Sequence, residues 1–286
     1  MTQVYIPRTL AELWSYLDGE PEALICAGGT DLLVKMGNRK AAASPAFVCL
    51  ERLGELRDVR ETAAGILIGA AATHTELLRH PLILTQMPVL AQALQTLGSP
   101  LIRNMGTIGG NICMASPAGD TLPPLYILQA EVELCSRDDI RILPIQEFIT
   151  GPGETQLQKG EILTGVVVKK PVGYNVHHFE KVGQRKSMTC AIASMAALLR
   201  LSPSGVIETA RLAWGSVGPT VVSAATVEDA LIGEKLSQET LTVAVGKIRQ
   251  IVAPIDDVRA SANYRRTVSG NLLLRLLNVR PQSMDK

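Results

Sequence analysis

The sequence predicts an α+β fold with two domains. Its 286 residues are enough for one large or two ordinary domains. Of these residues 47% are hydrophobic and only 3% aromatic, so the core is expected to be mostly aliphatic and alanine. Mixed strand and helix patterns come first along the chain, then strands, then helices, which is typical of α+β proteins. The best boundary between domains is the segment Pro171-Val172-Gly173-Tyr174.

Short helices and strands are predicted before this boundary. Leu10, Leu13, Trp14 and Leu17 recur at helical spacing, and Thr9 stands where an N-cap is needed. The other elements predicted here are a buried strand at 23–27, a helical turn at 31–36 capped by Thr30 or Asp31, strands at 47–50 and 65–73, helices at 75–79 and 89–97, and strands at 130–135 and 162–168.

After the boundary, strands come before helices. Strand-like segments are predicted at 177–182, 191–201 and 211–217. Helices follow at 227–231, 238–252 and 262–277, with apolar residues at three- and four-residue steps.

Two glycine-rich segments carry the most information about function. The first is Ala27-Gly28-Gly29-Thr30-Asp31-Leu32-Leu33, and the second is Gly106-Thr107-Ile108-Gly109-Gly110-Asn111-Ile112. Each offers backbone that side chains cannot crowd, beside a hydroxyl donor, which is the chemistry that holds a diphosphate against main-chain N–H groups. Either segment alone is also explained as a structural turn. Together they predict one elongated anionic ligand gripped from two sides.

Other polar residues leave alternatives open. Asp120 follows the second segment, where its carboxylate could accept ribose hydroxyls or cap the next helical turn. Lys181 and Arg185 fit a solvated basic patch when considered alone. His177 and His178 are adjacent and would face opposite sides of a strand, so we expect no metal site there.

Composition excludes several classes of function. The net charge of +1 argues against nucleic acid as the main partner. No apolar run reaches the roughly 18 residues of a membrane helix, and the first residues lack the pattern of a signal peptide. The five cysteines are widely spaced without C-x-x-C, so a disulfide framework, a zinc site or an iron–sulfur site is not expected. A cytoplasmic protein with reduced thiols fits best.

Taken together, these residues resemble the FAD-binding medium subunit of molybdenum hydroxylases, the family of xanthine dehydrogenase, carbon monoxide dehydrogenase and nicotinate dehydrogenase. The resemblance runs nearly end to end. It rests on Ala-Gly-Gly-Thr-Asp-Leu at 27–32, His-Pro at 80–81, the segment 98–112 around the second glycine run, Ala-Ser-Pro-Ala-Gly-Asp at 115–120, Glu-Ile-Leu at 161–163, Lys181 ahead of Arg185, Gly-Ser-Val-Gly-Pro-Thr at 215–220 and Tyr-Arg-Arg at 264–266.

The resemblance implies a more specific fold. It implies an FAD-binding domain of the vanillyl-alcohol-oxidase (PCMH) type over 1–171, with two subdomains at about 1–57 and 58–171. A smaller α/β C-terminal domain of the molybdenum hydroxylase flavoprotein type would occupy 172–286.

The resemblance also implies where FAD binds. One segment would wrap the diphosphate: Leu24, Ile25, Cys26, Ala27, Gly28, Gly29, Thr30, Asp31 and Leu32. Thr107, Gly109, Gly110 and Asn111 would grip it from the other side. Asp120 would meet the ribose or adenine end, and Ile162, Leu163 and Lys181 would lie near the flavin or its ribityl chain. FAD would be the only redox centre, and no residue is assigned as a catalytic acid or base.

The function implied is electron transfer inside a complex. One partner would carry a molybdenum–pterin centre that hydroxylates a heterocycle or aldehyde, and another would carry two [2Fe–2S] clusters. Electrons would reach FAD in this chain and pass to NAD or another acceptor. The alternatives are a free-standing flavin oxidase or reductase of similar fold, and a non-enzymatic nucleotide-binding protein.

Overall fold

The computed structural model describes residues 3–37, 46–185 and 189–281. The strands are β1 Val4–Tyr5, β2 Leu24–Cys26, β3 Phe47–Cys49, β4 Val59–Thr62, β5 Gly65–Gly69, β6 Glu131–Cys135, β7 Ile140–Pro144, β8 Ile149–Gly151, β9 Glu154–Thr155, β10 Ile162–Val168, β11 Val176–Val182, β12 Ala193–Leu201, β13 Ile207–Gly215 and β14 Val222–Ser223.

Helices connect and cover these strands. They are α1 Leu10–Gly19, α2 Leu32–Gly37, α3 His74–Arg79, α4 Pro81–Gln86, α5 Pro88–Thr96, α6 Pro100–Met105, α7 Ile108–Met114, α8 Leu122–Ile127, α9 Ile145–Phe148, α10 Ala225–Glu228, α11 Gln238–Ile251 and α12 Ala262–Leu274. Short 3₁₀ turns lie at Leu50–Arg52, Gly54–Leu56 and Arg275–Asn278. No helix in the described part of the chain is long and apolar enough to cross a membrane.

A small parallel sheet opens the chain. Its strand order is β1-β3-β2, and α1 packs Leu13 and Trp14 against Val48 beside it. The helix begins as predicted, because the Thr9 side chain accepts a hydrogen bond from the Glu12 N–H. This sheet and helix hold the first glycine-rich segment, which follows β2.

An antiparallel sheet and a cluster of short helices form the middle of the molecule. The strand order is β4-β5-β10-β6-β7, with β10 at the centre. All seven residues of β10 are buried, which explains its continuous apolar run. Helices α3, α4, α5, α7 and α8 contribute buried side chains to the core that meets this sheet.

The third sheet is buried on both faces. Its antiparallel order is β11-β12-β13-β14. Ala196 and Leu198 of β12 join the core of the middle region, whereas Met195 and Leu199 join a second core beneath α11 and α12. Side chains alternate between the faces of a strand, so a strand covered on both sides is apolar at nearly every position.

The α+β fold class is confirmed, but several local expectations are wrong. The strand predicted at 65–73 ends at Gly69, because residues 70–73 turn away to start α3. The strand predicted to be buried at 23–27 has Leu24 and Ile25 each 37% exposed, because β2 is an edge strand. The second glycine segment is not a turn; most of it belongs to helix α7.

Candidate functional site

The first glycine-rich segment is a loop between β2 and α2. Gly29 has φ of +67°, in the left-handed region that favours glycine. A Cβ atom on Gly28 would lie 1.8 Å from the carbonyl oxygen of Met105, so only glycine lets this loop pack against the end of α6. The N–H groups of Gly28, Thr30 and Asp31 donate to no acceptor among the described residues. Main-chain N–H groups of this kind are able to bind an anion.

The second glycine-rich segment uses its main-chain donors internally. Thr107 caps α7, and its Oγ1 accepts from the N–H of Gly110 at 3.1 Å. The N–H groups of Ile108 and Gly109 donate to the carbonyl oxygens of Ala72 (3.1 Å) and Ala70 (2.9 Å). This segment therefore does not present free N–H groups at the start of its helix, which differs from our expectation. The glycines make this segment look like a turn in the sequence, although it forms the start of a helix.

Gly109 and Gly110 have different roles. A Cβ atom on Gly109 would lie 2.6 Å from the Ala70 Cβ, so the fold itself requires glycine. Gly110 is exposed, does not have positive φ, and a Cβ there would meet only Thr107 Oγ1, at 3.0 Å. The fold has little need of glycine at 110. Its bare surface is what a closely approaching ligand would need.

A cavity of about 140 Å³ joins the first two motifs to β10. Ile25 and Ala27 line it from the first segment, and Gly109 and Gly110 line it from the second. The rest of its lining is Leu50, Ala70, Ala71, Cys113, Leu157, Glu161, Ile162 and Leu163. The sequence predicted that these distant segments meet, and the structure brings them together.

A second cavity, of about 420 Å³, lies on the far side of α7. Asn111 and Asp120 line it, together with Leu97, Gly98, Ser99, Ile102, Ala118, Gly119, Arg185, Thr189 and Cys190. Asn111 accepts a hydrogen bond on Oδ1 from the Thr121 hydroxyl at 2.6 Å. Ser99, Thr189 and Cys190 were not singled out from the sequence, because only the fold brings these loops to one cavity.

Asp120 and Lys181 form a buried ion pair beside the second cavity. Lys181 Nζ lies 2.6 Å from Asp120 Oδ2, and the two side chains are only 4% and 8% exposed. Lys181 also donates to the carbonyl oxygens of Thr96 (2.8 Å) and Thr189 (3.3 Å), so its three protons are used. The solvated patch considered for Lys181 is therefore wrong. Asp120 does not cap α8 either, because that helix has no side-chain cap.

Burial and pairing act in opposite directions on Asp120. Burial raises the pKa of the Asp120 carboxyl to about 6, even though Lys181 favours the charged form. The carboxylate is thus still ionised at neutral pH. Its Oδ1 is buried and has no partner among the described residues. An ionised oxygen without a donor beside a cavity is suited to accept an N–H or O–H of a ligand.

The predicted site residues therefore differ in whether they line the first cavity, the second cavity or neither. Ile162 and Leu163 line the first cavity, whereas Lys181, expected beside them, is bonded to Asp120 at the second. Thr107 and Gly109 shape the start of α7. Leu24 and Cys26 line neither cavity, because they alternate with Ile25 and Ala27 along the strand. Thr30, Asp31 and Leu32 lie at the outer edge of the loop and line neither cavity.

His74 lies beneath the second glycine segment. Its ring comes within 3.4 Å of the position that a Cβ atom on Gly106 would take. Burial, helped by the charge of Arg103, lowers the pKa of His74 to about 4. The ring is therefore neutral at physiological pH and supports the segment without carrying charge.

Comparison with known proteins identifies two matching family models. Residues 1–171 match the FAD binding domain in molybdopterin dehydrogenase, and residues 178–279 match the CO dehydrogenase flavoprotein C-terminal domain.

Similar proteins cover nearly the whole chain. A putative xanthine dehydrogenase FAD-binding subunit of Escherichia coli K12 is 34% identical over 90% of this chain and 88% of its own length. The nicotinate dehydrogenase FAD-subunit of Eubacterium barkeri is 30% identical over 92% of this chain and 90% of its own.

Solved structures agree in fold. A chain of carbon monoxide dehydrogenase from Hydrogenophaga pseudoflava superposes with a TM-score of 0.88 at 28% identity, covering 97% of this chain and 96% of that one. A chain of quinoline 2-oxidoreductase from Pseudomonas putida 86 gives 0.91 at 25% identity, with the same coverage of both chains.

Proposed function

This chain belongs to the family of FAD-binding subunits of molybdopterin dehydrogenases, and from that premise we propose that it transfers electrons within a molybdenum hydroxylase complex. A large molybdopterin-binding subunit would oxidise the substrate, and a small subunit would pass the electrons on through [2Fe–2S] clusters. FAD in this chain would receive them and deliver them to NAD or another acceptor. The names of relatives that are subunits or medium chains of such dehydrogenases support this assignment.

The observation that carries the proposal is the bare, exposed surface of Gly110 at the first cavity. The N–H groups of Gly28, Thr30 and Asp31, which meet no acceptor within 3–37, 46–185 and 189–281, are suited to the diphosphate of FAD. The apolar walls around Ile162 and Leu163 would take one end of the elongated cofactor, and the second cavity would take the other. The residues present therefore fit FAD, and we propose the set predicted from the sequence as its binding site.

The protein's own contribution is binding and electrostatics. FAD would supply the storage of two electrons, taken up one at a time from the clusters and available as a pair to an acceptor such as NAD. The first loop balances the diphosphate charge with N–H dipoles. Lys181 holds Asp120 in one position, so that Oδ1, which has no partner among the residues the structure describes, would accept a hydrogen bond from a cofactor N–H or O–H. We assign no residue of this chain as a catalytic acid or base.

We further propose that the FAD-binding domain ends near Pro171, with subdomains of about 1–57 and 58–171, and that the C-terminal domain follows from 172. The bounds of the two matching family models support that division. We place the complex in the cytoplasm, which the five unpaired cysteines support.

Co-expression with the two expected partner subunits tests the proposal. The chain alone should be yellow, and acid should release its FAD. It should not oxidise xanthine, nicotinate or an aldehyde. With both partners it should co-elute from size exclusion, and substrate should then reduce its flavin. Substrate oxidation by the chain alone would instead indicate a free-standing flavin oxidase. A colourless chain that binds no added FAD would indicate a different nucleotide-binding role.

NAD as the acceptor needs a separate measurement. We expect NADH to reduce the flavin of the isolated chain. The contacts that let reduced FAD transfer electrons to NAD also let NADH transfer electrons to oxidised FAD. A dithionite-reduced control sets the full amplitude of the absorbance change. A flavin that dithionite reduces and NADH does not would exclude NAD and leave the rest of the proposal standing.

A further inference from the structure

Two cysteines face each other directly below the first glycine loop. Cys26 ends β2 and Cys49 ends β3, and the two residues are partners in the register of this parallel pair. Neighbouring strands lie about 4.8 Å apart, within the range of about 4.4–6.8 Å between Cα atoms that a disulfide spans. Paired residues also point to the same face of a sheet. The backbone therefore places the two thiols side by side.

The thiol of Cys26 contacts both its neighbour and the loop. It lies close enough to the Cys49 thiol that each thiol shifts the pKa of the other. It also donates to the carbonyl oxygen of Ala27 at 3.6 Å, and its sulfur lies 3.5 Å from the position that a Cβ atom on Gly29 would take. Ile25 lines the first cavity, so Cys26 points to the opposite face of the strand. Cys26 thus supports the loop from below without entering the cavity.

The two thiols differ in reactivity. Burial raises the pKa of Cys26 to about 11 and also raises the pKa of Cys49, but the neighbouring Cys26 thiol acts to lower the pKa of Cys49. Cys49 is therefore the thiol that attacks first. Both residues are partly exposed, which leaves room for a small reagent.

We propose that Cys26 and Cys49 form a redox-active dithiol, a modification site that a small-molecule disulfide oxidises to an intrachain disulfide. The Cys49 thiolate attacks one sulfur of the oxidant R–S–S–R and displaces R–S⁻, which leaves a mixed disulfide on Cys49. The Cys26 sulfur then attacks Cys49 Sγ and displaces the second R–S⁻. The two thiol protons end on two R–SH molecules, and the oxidant gains the two electrons that the dithiol loses.

This disulfide acts on the glycine loop. It removes the S–H that Cys26 donates to Ala27, and it moves the sulfur that packs beside Gly29. The loop then loses support at the residue that holds its left-handed turn. We expect the FAD dissociation constant to rise about five- to tenfold on oxidation, the effect of losing about one hydrogen bond. This effect on FAD rests on the function proposed above.

Peptide mapping of the full chain tests the dithiol. The protein is incubated with excess oxidised glutathione, alkylated with iodoacetamide and digested with trypsin. Cys26 and Cys49 fall on separate tryptic peptides, residues 9–35 and 41–52, each with one cysteine. We expect these peptides to be joined, and dithiothreitol to release them. Cys135, a partly exposed cysteine on a different sheet, serves as the matched control and should be alkylated.

The contrary results are equally specific. Separate alkylation or separate glutathione adducts on Cys26 and Cys49 would overturn the dithiol. In Cys49→Ser the joined peptide should disappear, and oxidant should leave the FAD affinity of this variant unchanged. A wild-type disulfide that does not change FAD affinity would overturn the link to the loop. Failure of the reduced chain to bind FAD would contradict the proposed function, whereas the peptide map would still decide the dithiol.

Discussion

Replacing Gly110 by valine should abolish FAD binding and leave the fold intact. The position is exposed and lines the first cavity, together with Ile25 and Ala27 of the first segment. The first atom of a side chain already lies about 1.5 Å from Cα. A valine here would therefore displace a bound ligand by more than its hydrogen bonds tolerate. Losing two hydrogen bonds to a charged diphosphate costs about 3–6 kcal/mol. The FAD dissociation constant should then rise about 10²- to 10⁴-fold.

The cost of this substitution to folding should be small. The new Cβ meets only Thr107 Oγ1, at 3.0 Å, which a slight movement of the capping hydroxyl relieves. Gly246→Ala is the matched control, since Gly246 is an exposed glycine of α11 where an added Cβ atom would meet nothing within 4 Å. It should keep FAD and gain up to about 1 kcal/mol of stability. Gly109→Ala should instead destabilise the chain, because its Cβ collides with Ala70.

Three measurements separate binding from folding. Circular dichroism and thermal unfolding of the flavin-free chain report the fold. Titration of that chain with FAD, followed by flavin fluorescence, reports the affinity. If the Gly110→Val chain binds FAD as tightly as the wild type, no ligand approaches this surface and the site has been misplaced.

Three further predictions concern the Asp120–Lys181 ion pair, the ring of His74 and the attachment of FAD. Asp120→Ala should destabilise the flavin-free chain by about 3–5 kcal/mol in urea unfolding, because it leaves the buried Lys181 charge unpaired. Adding Lys181→Met should restore most of that stability. A double variant as unstable as Asp120→Ala would contradict the pairing. The pKa of His74 is about 4 in the folded chain, against an ordinary value of 6.5. The neutral ring therefore contributes its full share to the free energy of unfolding above pH 6.5. That share, about 3 kcal/mol at most, is lost as the pH falls towards 4. His74→Asn should flatten this part of the stability profile, and profiles of equal slope would refute the assignment. FAD should be bound non-covalently, so acid precipitation should leave the flavin in solution; a yellow pellet would point to Cys113 or Cys190, the thiols that line the cavities.

Local patterns predicted the elements whose causes are local. Thr9 caps α1 as expected, since an N-cap bonds to a donor only three residues away. The strand at 162–168 was found with its observed bounds, because a buried central strand is apolar throughout. Helix α6 was missed, although Ser99 before Pro100 is a helix-start signal, because the apolar pattern of this short helix is too brief to establish a period.

The glycine-rich segments mark the limit of sequence reasoning at the site. Their composition indicated close approach of backbone, and their resemblance to a known family indicated FAD. The sequence could not distinguish Gly109, whose added Cβ would collide with Ala70, from Gly110, whose added Cβ would meet only Thr107 Oγ1. It also could not determine that the first N–H groups of α7 are already bonded to residues 70 and 72.

The sequence by itself determined the family, the α+β class and the two segments that meet at the site, because motifs, periodicity and caps are properties of neighbouring residues. Only the tertiary structure decided which groups remain free for a ligand. Asp120 and Lys181 are 61 positions apart; Lys181 donates to Asp120, Thr96 and Thr189, and Asp120 Oδ1 has no partner in the described part of the chain. Which donors and acceptors are satisfied depends on contacts between distant segments, and that information exists only once the chain has folded.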